Sequence, residues 1–345
     1  MKSKKKLYWI LGSIVFILTA SVGTLWYYVN ESYNHVEIDK DDLGISDELK
    51  NQKIIQIEET PEAEIAEDEE PKKEKKHKEI DISGIRNIAL FGLDRRTTKE
   101  DTTRSDSMMV LTINYDTKEI KLTSFMRDMN VNIEGHGMDK LNHSYAYGGP
   151  ELTIKTLNQN FGLNIQDYIA VDFLMLEEII NDIDGVKINI DEKEMELINK
   201  YMAEIANKNH KSYKKLNEFG NINLNGQQAV AYARIRSYGD GDYQRTQRQR
   251  TVLTAMIKKL NHAKLKDVPS LVNTGFKNTE TSIPKMEAIK LAKSYLSEDF
   301  SEPQSERIPR DGSFTTGRND KGLWIMNVDL EKEKDYLKKW VYNVK

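Results

Sequence analysis

The sequence predicts an α/β protein: a single α-β-α layered domain around a central mixed sheet, preceded by one transmembrane helix. Two observations carry this reading. Residues Leu7–Val29 form 23 consecutive positions without a charge, directly behind Lys2, Lys4, Lys5 and Lys6. Short apolar runs ending in polar residues then alternate with segments of helical periodicity from residue 82 to the end of the 345-residue chain. Strands mixed with helices in this way point to a layered α/β domain. There is no cysteine, which excludes disulfides, thiolate nucleophiles and Cys-bound zinc or iron–sulfur centres.

As a helix, Leu7–Val29 would be roughly 34 Å long, enough for a bilayer core of about 30 Å. The lysines before it keep residues 1–6 cytoplasmic by the positive-inside rule. Trp9, Trp26, Tyr27 and Tyr28 lie near its ends, as an aromatic belt would place them. A cleavable signal peptide is the alternative, with Ser21 and Gly23 small enough for a cleavage site, but the apolar run continues past them. Either way the remainder lies outside the cytoplasm.

The net charge of −4 is strongly segregated. Residues 37–70 carry 14 acids and 3 lysines, whereas residues 81–345 together come to +1. Residues 30–80 therefore read as a disordered spacer, too polar to offset the entropy of ordering, that lifts the domain a few nanometres from the membrane. The near-neutral remainder does not suit a nucleic-acid binder.

Within the domain, residues 86–94 read as a strand. Residues 107–116 and 119–128 read as a hairpin or adjacent strands that 129–133 extend. Pro150 suits the first turn of a helix. Residues 168–173 and 186–190 are strand-like, and 174–183, 192–209, 226–232 and 243–260 helical. At the end, 285–296 reads as helix, 323–329 as strand and 330–341 as a closing helix. No internal repeat is present.

Charged residues recur at the ends of these runs, where layered folds build their sites. Asp94 ends the first strand, Arg104 and Asp106 precede the second, and Arg127 and Asp128 close the third. Asp139 and Lys140 precede LNHSYAYGGP. Residues 231–250, AYARIRSYGDGDYQRTQRQR, hold five arginines against two aspartates. Arg234 and Arg236 share a face of extended backbone. Arg245, Arg248 and Gln249 neighbour one another on a helix. Guanidinium forks match phosphate oxygens, and paired aspartates suit a hard cation such as Mg²⁺ whose shell phosphates complete. Together they suggest a pyrophosphate held for phosphoryl transfer, provided the set converges in space; taken singly, each residue would equally serve as a solvated surface charge.

In order, FGLD, RSDSMMVLTIN, TSFMRD, DKLNHSYAYGGPE, LNGQQAVAYARIR and GDYQRTQRQ resemble the LytR-CpsA-Psr family, over residues 84–260. The resemblance implies an extracytoplasmic, membrane-anchored catalytic domain over residues 81–345. It implies a polyprenyl-pyrophosphate-linked glycopolymer as donor, such as wall teichoic acid or capsule, and peptidoglycan as acceptor. Transfer of the phosphoglycosyl unit to a sugar hydroxyl would leave polyprenyl phosphate. Position by position, Asp94 and Asp106 look like the Mg²⁺-associated acids. Arg104, Arg234, Arg236 and Arg245 look like pyrophosphate ligands, with Gln249 a lesser contact. Arg127 falls at the family's catalytic position, where charge stabilisation suits an arginine better than base catalysis. Arg95 departs from the usual motif. The lipid would need an apolar slot, for which Leu152, Ile154, Leu157, Phe161, Phe173, Leu174, Leu176, Ile179 and Ile180 are candidates that could equally be core. A non-catalytic glycan-binding or scaffold protein and a pyrophosphatase of the same donor stay open as alternatives.

Overall fold

The computed structural model describes residues 34–59, 75–93, 104–209, 212–261, 263–277 and 279–344. The segment Leu7–Val29 and Asp94 lie outside these residues. Among the described residues, no helix is long and apolar enough to cross a membrane.

The centre is a seven-stranded mixed sheet. Its strands are β1 (Asn34–His35), β4 (Ile85–Leu93), β5 (Ser105–Asn114), β6 (Glu119–Phe125), β9 (Asp167–Asp172), β12 (Glu280–Thr281) and β13 (Gln304–Ile308). Their order is β1-β12-β9-β4-β5-β6-β13. β4, β5 and β6 run antiparallel, whereas β9 and β13 lie parallel to β4 and β6. The expected hairpin is β5–β6, and its turn is closed by Asn114, whose side chain accepts from the Asp116 and Thr117 amides. Residues 129–133 do not extend this sheet. They form β7 (Met129–Ile133), which turns with β8 (Gly137–Lys140) into a second sheet completed by β14 (Phe314–Arg318) and β15 (Trp324–Val328).

Strand alternation decides the layering. Ala89, Phe91 and Leu93 of β4, Met108 and Val110 of β5, and Tyr168 and Ala170 of β9 enter one large core. That core packs on α2 (His143–Phe161) and α9 (Leu330–Tyr342). α2 breaks at Gly148–Gly149, where Gly149 takes φ +62°, and resumes at Pro150, the first-turn position expected for it. The opposite face is covered by α3 (Phe173–Asp182), α5 (Gly226–Ala233) and α6 (Asp242–Leu260). With α4 (Glu192–Asn209) and the hairpin of β10 (Val186–Ile190) and β11 (Gly220–Leu224), these enclose a second core. α7 (Val268–Lys277) and α8 (Lys285–Ser297) flank the short strand β12.

Ile154, Leu157 and Phe161 belong to the first core and Ile180 to the second, so they do not form a slot. Leu152 packs against the first core and Leu174 is exposed.

The spacer expected over 30–80 is corrected over much of its length. Residues 47–50 form the one-turn helix α1 (Asp47–Lys50), and β2 (Lys53–Glu59) pairs antiparallel with β3 (Lys75–Asp81). Leu43, Ile45, Leu49 and Ile54 are buried in the main core. Acidic composition masked four well-spaced apolar residues. The charges around them are neutralised across the fold, by Lys40 on Asp167 and Lys155 on Asp42, each at 2.7 Å.

Candidate active site

The second face of the same strands makes an apolar cavity of about 240 Å³. Leu90 and Gly92 of β4, Met109 of β5, and Ile169 and Val171 of β9 form its floor. Phe173, Leu176 and Ile179 of α3 and Val252, Leu253 and Met256 of α6 form its walls. Three of the nine slot candidates thus line it. The strand residues were legible only as alternation, since the same run supplies the core with its other face.

At one end, Ser107 and Gln249 line both this cavity and a charged crevice. Here Arg127, just past β6, meets Asp106, at the start of β5, and Asp242, the first residue of α6. Arg127 Nη1 donates to Asp106 Oδ1 at 2.6 Å, and its Nη2 lies 3.1 Å from Asp242 Oδ2. Arg236 joins them, 3.3 Å from Asp242 and 3.7 Å from Asp106. Arg245 lies 3.6 Å from Asp242 and donates to the Asp106 carbonyl at 3.3 Å. Asp128 lies 3.5 Å from Arg127 and is itself paired with Lys140, so three guanidinium groups and one ammonium on three carboxylates leave one excess positive charge. The Arg245 Nε is buried with no acceptor among the described residues. The crevice is therefore short of anion.

Arg127 is partly buried, which by itself disfavours its charge. Asp106, Asp242 and Asp128 outweigh that and raise its pKa above the ordinary arginine value. This cation stays charged.

The turn before α6 shapes the cluster. Gly239 and Gly241 have φ +82° and +56°, conformations that a side chain disfavours. This reversal brings Asp242 to the helix N-terminus, where the helix dipole favours an acid. Arg248 holds the loop from below. It is 1% exposed, bonds Glu194 at 2.9 Å, and donates to the carbonyls of Ile235 and Tyr238.

Arg234 caps α5 and places its guanidinium 4.7 Å over the Phe173 ring, at the cavity wall. Gln249 lines both spaces. Arg104 is exposed, ahead of β5, and acts electrostatically on Tyr147 rather than joining the crevice. Asp106, Arg127, Arg236 and Arg245 are therefore brought together, with Arg234 and Gln249 on the cavity side. Asp128 and Lys140 form an ion pair of 2.7 Å behind Arg127. Asp139 is buried, accepting from the Lys140 amide, Tyr147 and Lys321. Asp242 was not singled out from the sequence. Its signal was present, an acid three residues before Arg245 at a helix start.

Among the described residues, no three acidic or histidine side chains cluster as a closed metal cage. Mg²⁺ needs no such cage, because one or two carboxylates beside phosphates satisfy it. Asp106 offers that chemistry once an anion competes for its arginine partners.

The LytR_cpsA_psr family model matches residues 54–339. A Bacillus mycoides relative, "Polyisoprenyl-teichoic acid--peptidoglycan teichoic acid transferase TagU", is 30% identical over 97% of this chain and 96% of its own. "Regulatory protein MsrR" of Staphylococcus aureus is 32% identical over 72% of this chain and 73% of its own. Among solved structures, TagT bound to LIIa-WTA superposes with a TM-score of 0.60 at 25% identity, over 76% of this chain and 92% of TagT. TagT with bound octaprenyl pyrophosphate lipid superposes with a TM-score of 0.56 at the same identity and coverage.

Proposed function

The chain belongs to the LytR-CpsA-Psr family, and from that premise we propose that it is a transferase acting on a lipid-linked anionic glycopolymer. Its donor would be a polyprenyl-pyrophosphate-linked polymer of wall teichoic acid or capsule type, and its acceptor a peptidoglycan sugar hydroxyl. The observation that carries this reading is the junction of an apolar cavity with an anion-seeking crevice through Ser107 and Gln249. A molecule with a long apolar tail and a doubly charged phosphate head matches both halves. The names of TagU and of lipid-bound TagT support the same donor class.

The tail would enter between α3 and α6 and place the pyrophosphate against Arg236, Arg245 and Arg234. Their forks neutralise its charge. The acceptor oxygen attacks the glycan-side phosphorus, a new P–O bond forms, and the bridging P–O bond breaks. Polyprenyl phosphate leaves, and as a phosphate monoester it can take up the hydroxyl proton. Arg127, fixed and charged, stabilises the charge that develops on the transferring phosphoryl oxygens. Asp106, with Asp94, would hold Mg²⁺, which supplies further charge neutralisation when bound. The lysines and uncharged stretch at residues 2–29 would keep the domain on the outer face of the cell membrane.

The test is turnover of purified lipid-pyrophosphate glycan with peptidoglycan. Polymer joined to the acceptor with release of polyprenyl phosphate supports transfer. Hydrolysis in the absence of acceptor consumption would make it a pyrophosphatase, and binding without chemistry a scaffold.

A further inference from the structure

One turn further along α6, a second group of cationic and polar side chains lies under the helix, with several of its polar atoms unpaired among the described residues. Arg250 is 5% exposed, yet its Nε and Nη1 have no acceptor among the described residues. Its remaining terminal nitrogen bonds only the neutral Gln247 side chain. A buried arginine with two of its three nitrogens unbonded is a condition that folded proteins avoid.

The sheet register shows what faces it. Ser124 of β6 is opposite Met109 on one side and Arg307 of β13 on the other. Met109 lines the cavity beneath α6, so Ser124 and Arg307 point to the α6 face as well. The Ser124 hydroxyl is itself buried without a partner among the described residues. Arg307 stacks 4.4 Å over the Tyr243 ring of α6, and its carboxylate partner among the described residues is the exposed Asp311. The adjacent Glu306 acts on Arg250 through its charge but forms no ion pair with either arginine among the described residues. It is opposite Thr123, whose hydroxyl accepts from Trp340 of α9 on the far side of the sheet. Burial first, and then the nearby Arg307 charge, push the Arg250 guanidinium down to about 10, against the opposing pull of the Glu306 carboxylate.

We propose that Arg250, Arg307 and the Ser124 hydroxyl form a second oxyanion site, for a phosphate group, beside the Arg127–Arg236–Arg245 crevice. Two guanidinium forks and a hydroxyl match the oxygens of a phosphate. The site stands on its own geometry. That its phosphate is a phosphodiester of the polymer being transferred rests on the transferase reading.

The test uses the full-length chain in detergent and phosphate-free buffer, with inorganic phosphate and bis-glycerol phosphodiester as probes, followed by calorimetry and thermal unfolding. The wild type should bind phosphate at two places. Arg307→Gln and Arg250→Gln should each abolish one event or weaken it at least tenfold, whereas Arg236→Gln should weaken the other. Arg307 sits at the accessible edge, so its variant reports even if Arg250→Gln does not fold. Binding of the diester as tightly as phosphate identifies a polymer segment as the source. Binding of inorganic phosphate alone identifies free phosphate. If Arg307→Gln binds phosphate with wild-type stoichiometry and affinity, the site does not exist. Loss of glycan transfer with this binding intact would overturn the transferase reading and leave the site standing.

Discussion

Arg127 combines a fixed charge with a position at the centre of two carboxylates and two further arginines. Because Asp106, Asp242 and Asp128 hold it protonated against its burial, it cannot act as a base. On the proposed transfer reaction, its contribution would belong to charge that appears during attack. Arg127→Ala should therefore lower kcat by on the order of 10²–10³ while changing donor affinity far less. Arg236→Ala should weaken donor binding and turnover together, with Arg236→Lys restoring only part, because a point charge does not reproduce the fork. Single-turnover transfer and donor binding measured side by side separate the two, and equal losses in both quantities for Arg127→Ala would refute the division. Asp139 supplies a pH test. Burial opposes its charge, but bonds from the Lys140 amide, Lys321, Tyr147 and His143 outweigh it, so its pKa lies well below the usual carboxylate range. It therefore adds stability that is complete above the ordinary carboxylate pKa and is lost as pH falls toward its depressed value. Asp139→Asn should flatten the acid limb of a stability–pH profile; an unchanged limb would show that its bonds contribute nothing net. Residue types at strand ends were legible in the sequence, but which arginine faces the crevice was not. Arg245 and Arg248 are three apart on one helix, yet one meets Asp106 and the other is sealed on Glu194. Pairing partners 139 and 54 residues away decide that, and no local pattern encodes them.

At the scale of elements, the loop between α5 and α6 that carries Arg236 is held by a buried ion pair. Arg248 ties Glu194 of α4 to the carbonyls of Ile235 and Tyr238, on either side of Arg236. Arg248→Ala leaves Glu194 buried and unpaired, a change that typically costs about 3–5 kcal/mol. It should also raise the donor KM by releasing Arg236, although Arg248 itself touches no donor. Thermal unfolding and donor titration check both effects; a stability loss with unaltered KM would confine Arg248 to the core. Most strands and helices were readable from period and punctuation, including the β5–β6 hairpin and the helix resuming at Pro150. Two-residue strands such as β12, and the transfer of 129–133 to another sheet, were not. Those pairings are made with strands far along the chain, so they leave no periodic trace.

Across the whole molecule, the departure from the sequence reading lies at residues 34–59, where composition suggested a tether and the fold has core. Leu43 is 1% exposed, and its carbonyl accepts from Asn158 of α2 at 2.8 Å. Leu43→Ala should accordingly destabilise the domain by about 2–5 kcal/mol in denaturant unfolding, whereas a change in a tether would be silent. If Leu7–Val29 span the bilayer, this shortens the distance available between membrane and site. The uncharged stretch ends at Val29, and the sheet begins at Asn34, which pairs with Glu280 beside Thr279 of the cavity wall. If Leu7–Val29 span the bilayer, the chain enters the fold at the strand edge nearest the apolar cavity, and a donor tail has only a short path from membrane to slot. Inserting 20 Gly/Ser residues between Val29 and Asn34 adds roughly 25 Å of root-mean-square reach and dilutes the site over the membrane surface. Turnover of donor embedded in vesicles should fall several-fold, while turnover of donor dispersed in detergent should stay at the wild-type rate. Equal rates for the inserted and natural chains on vesicles would show that proximity to the bilayer has no part in donor capture.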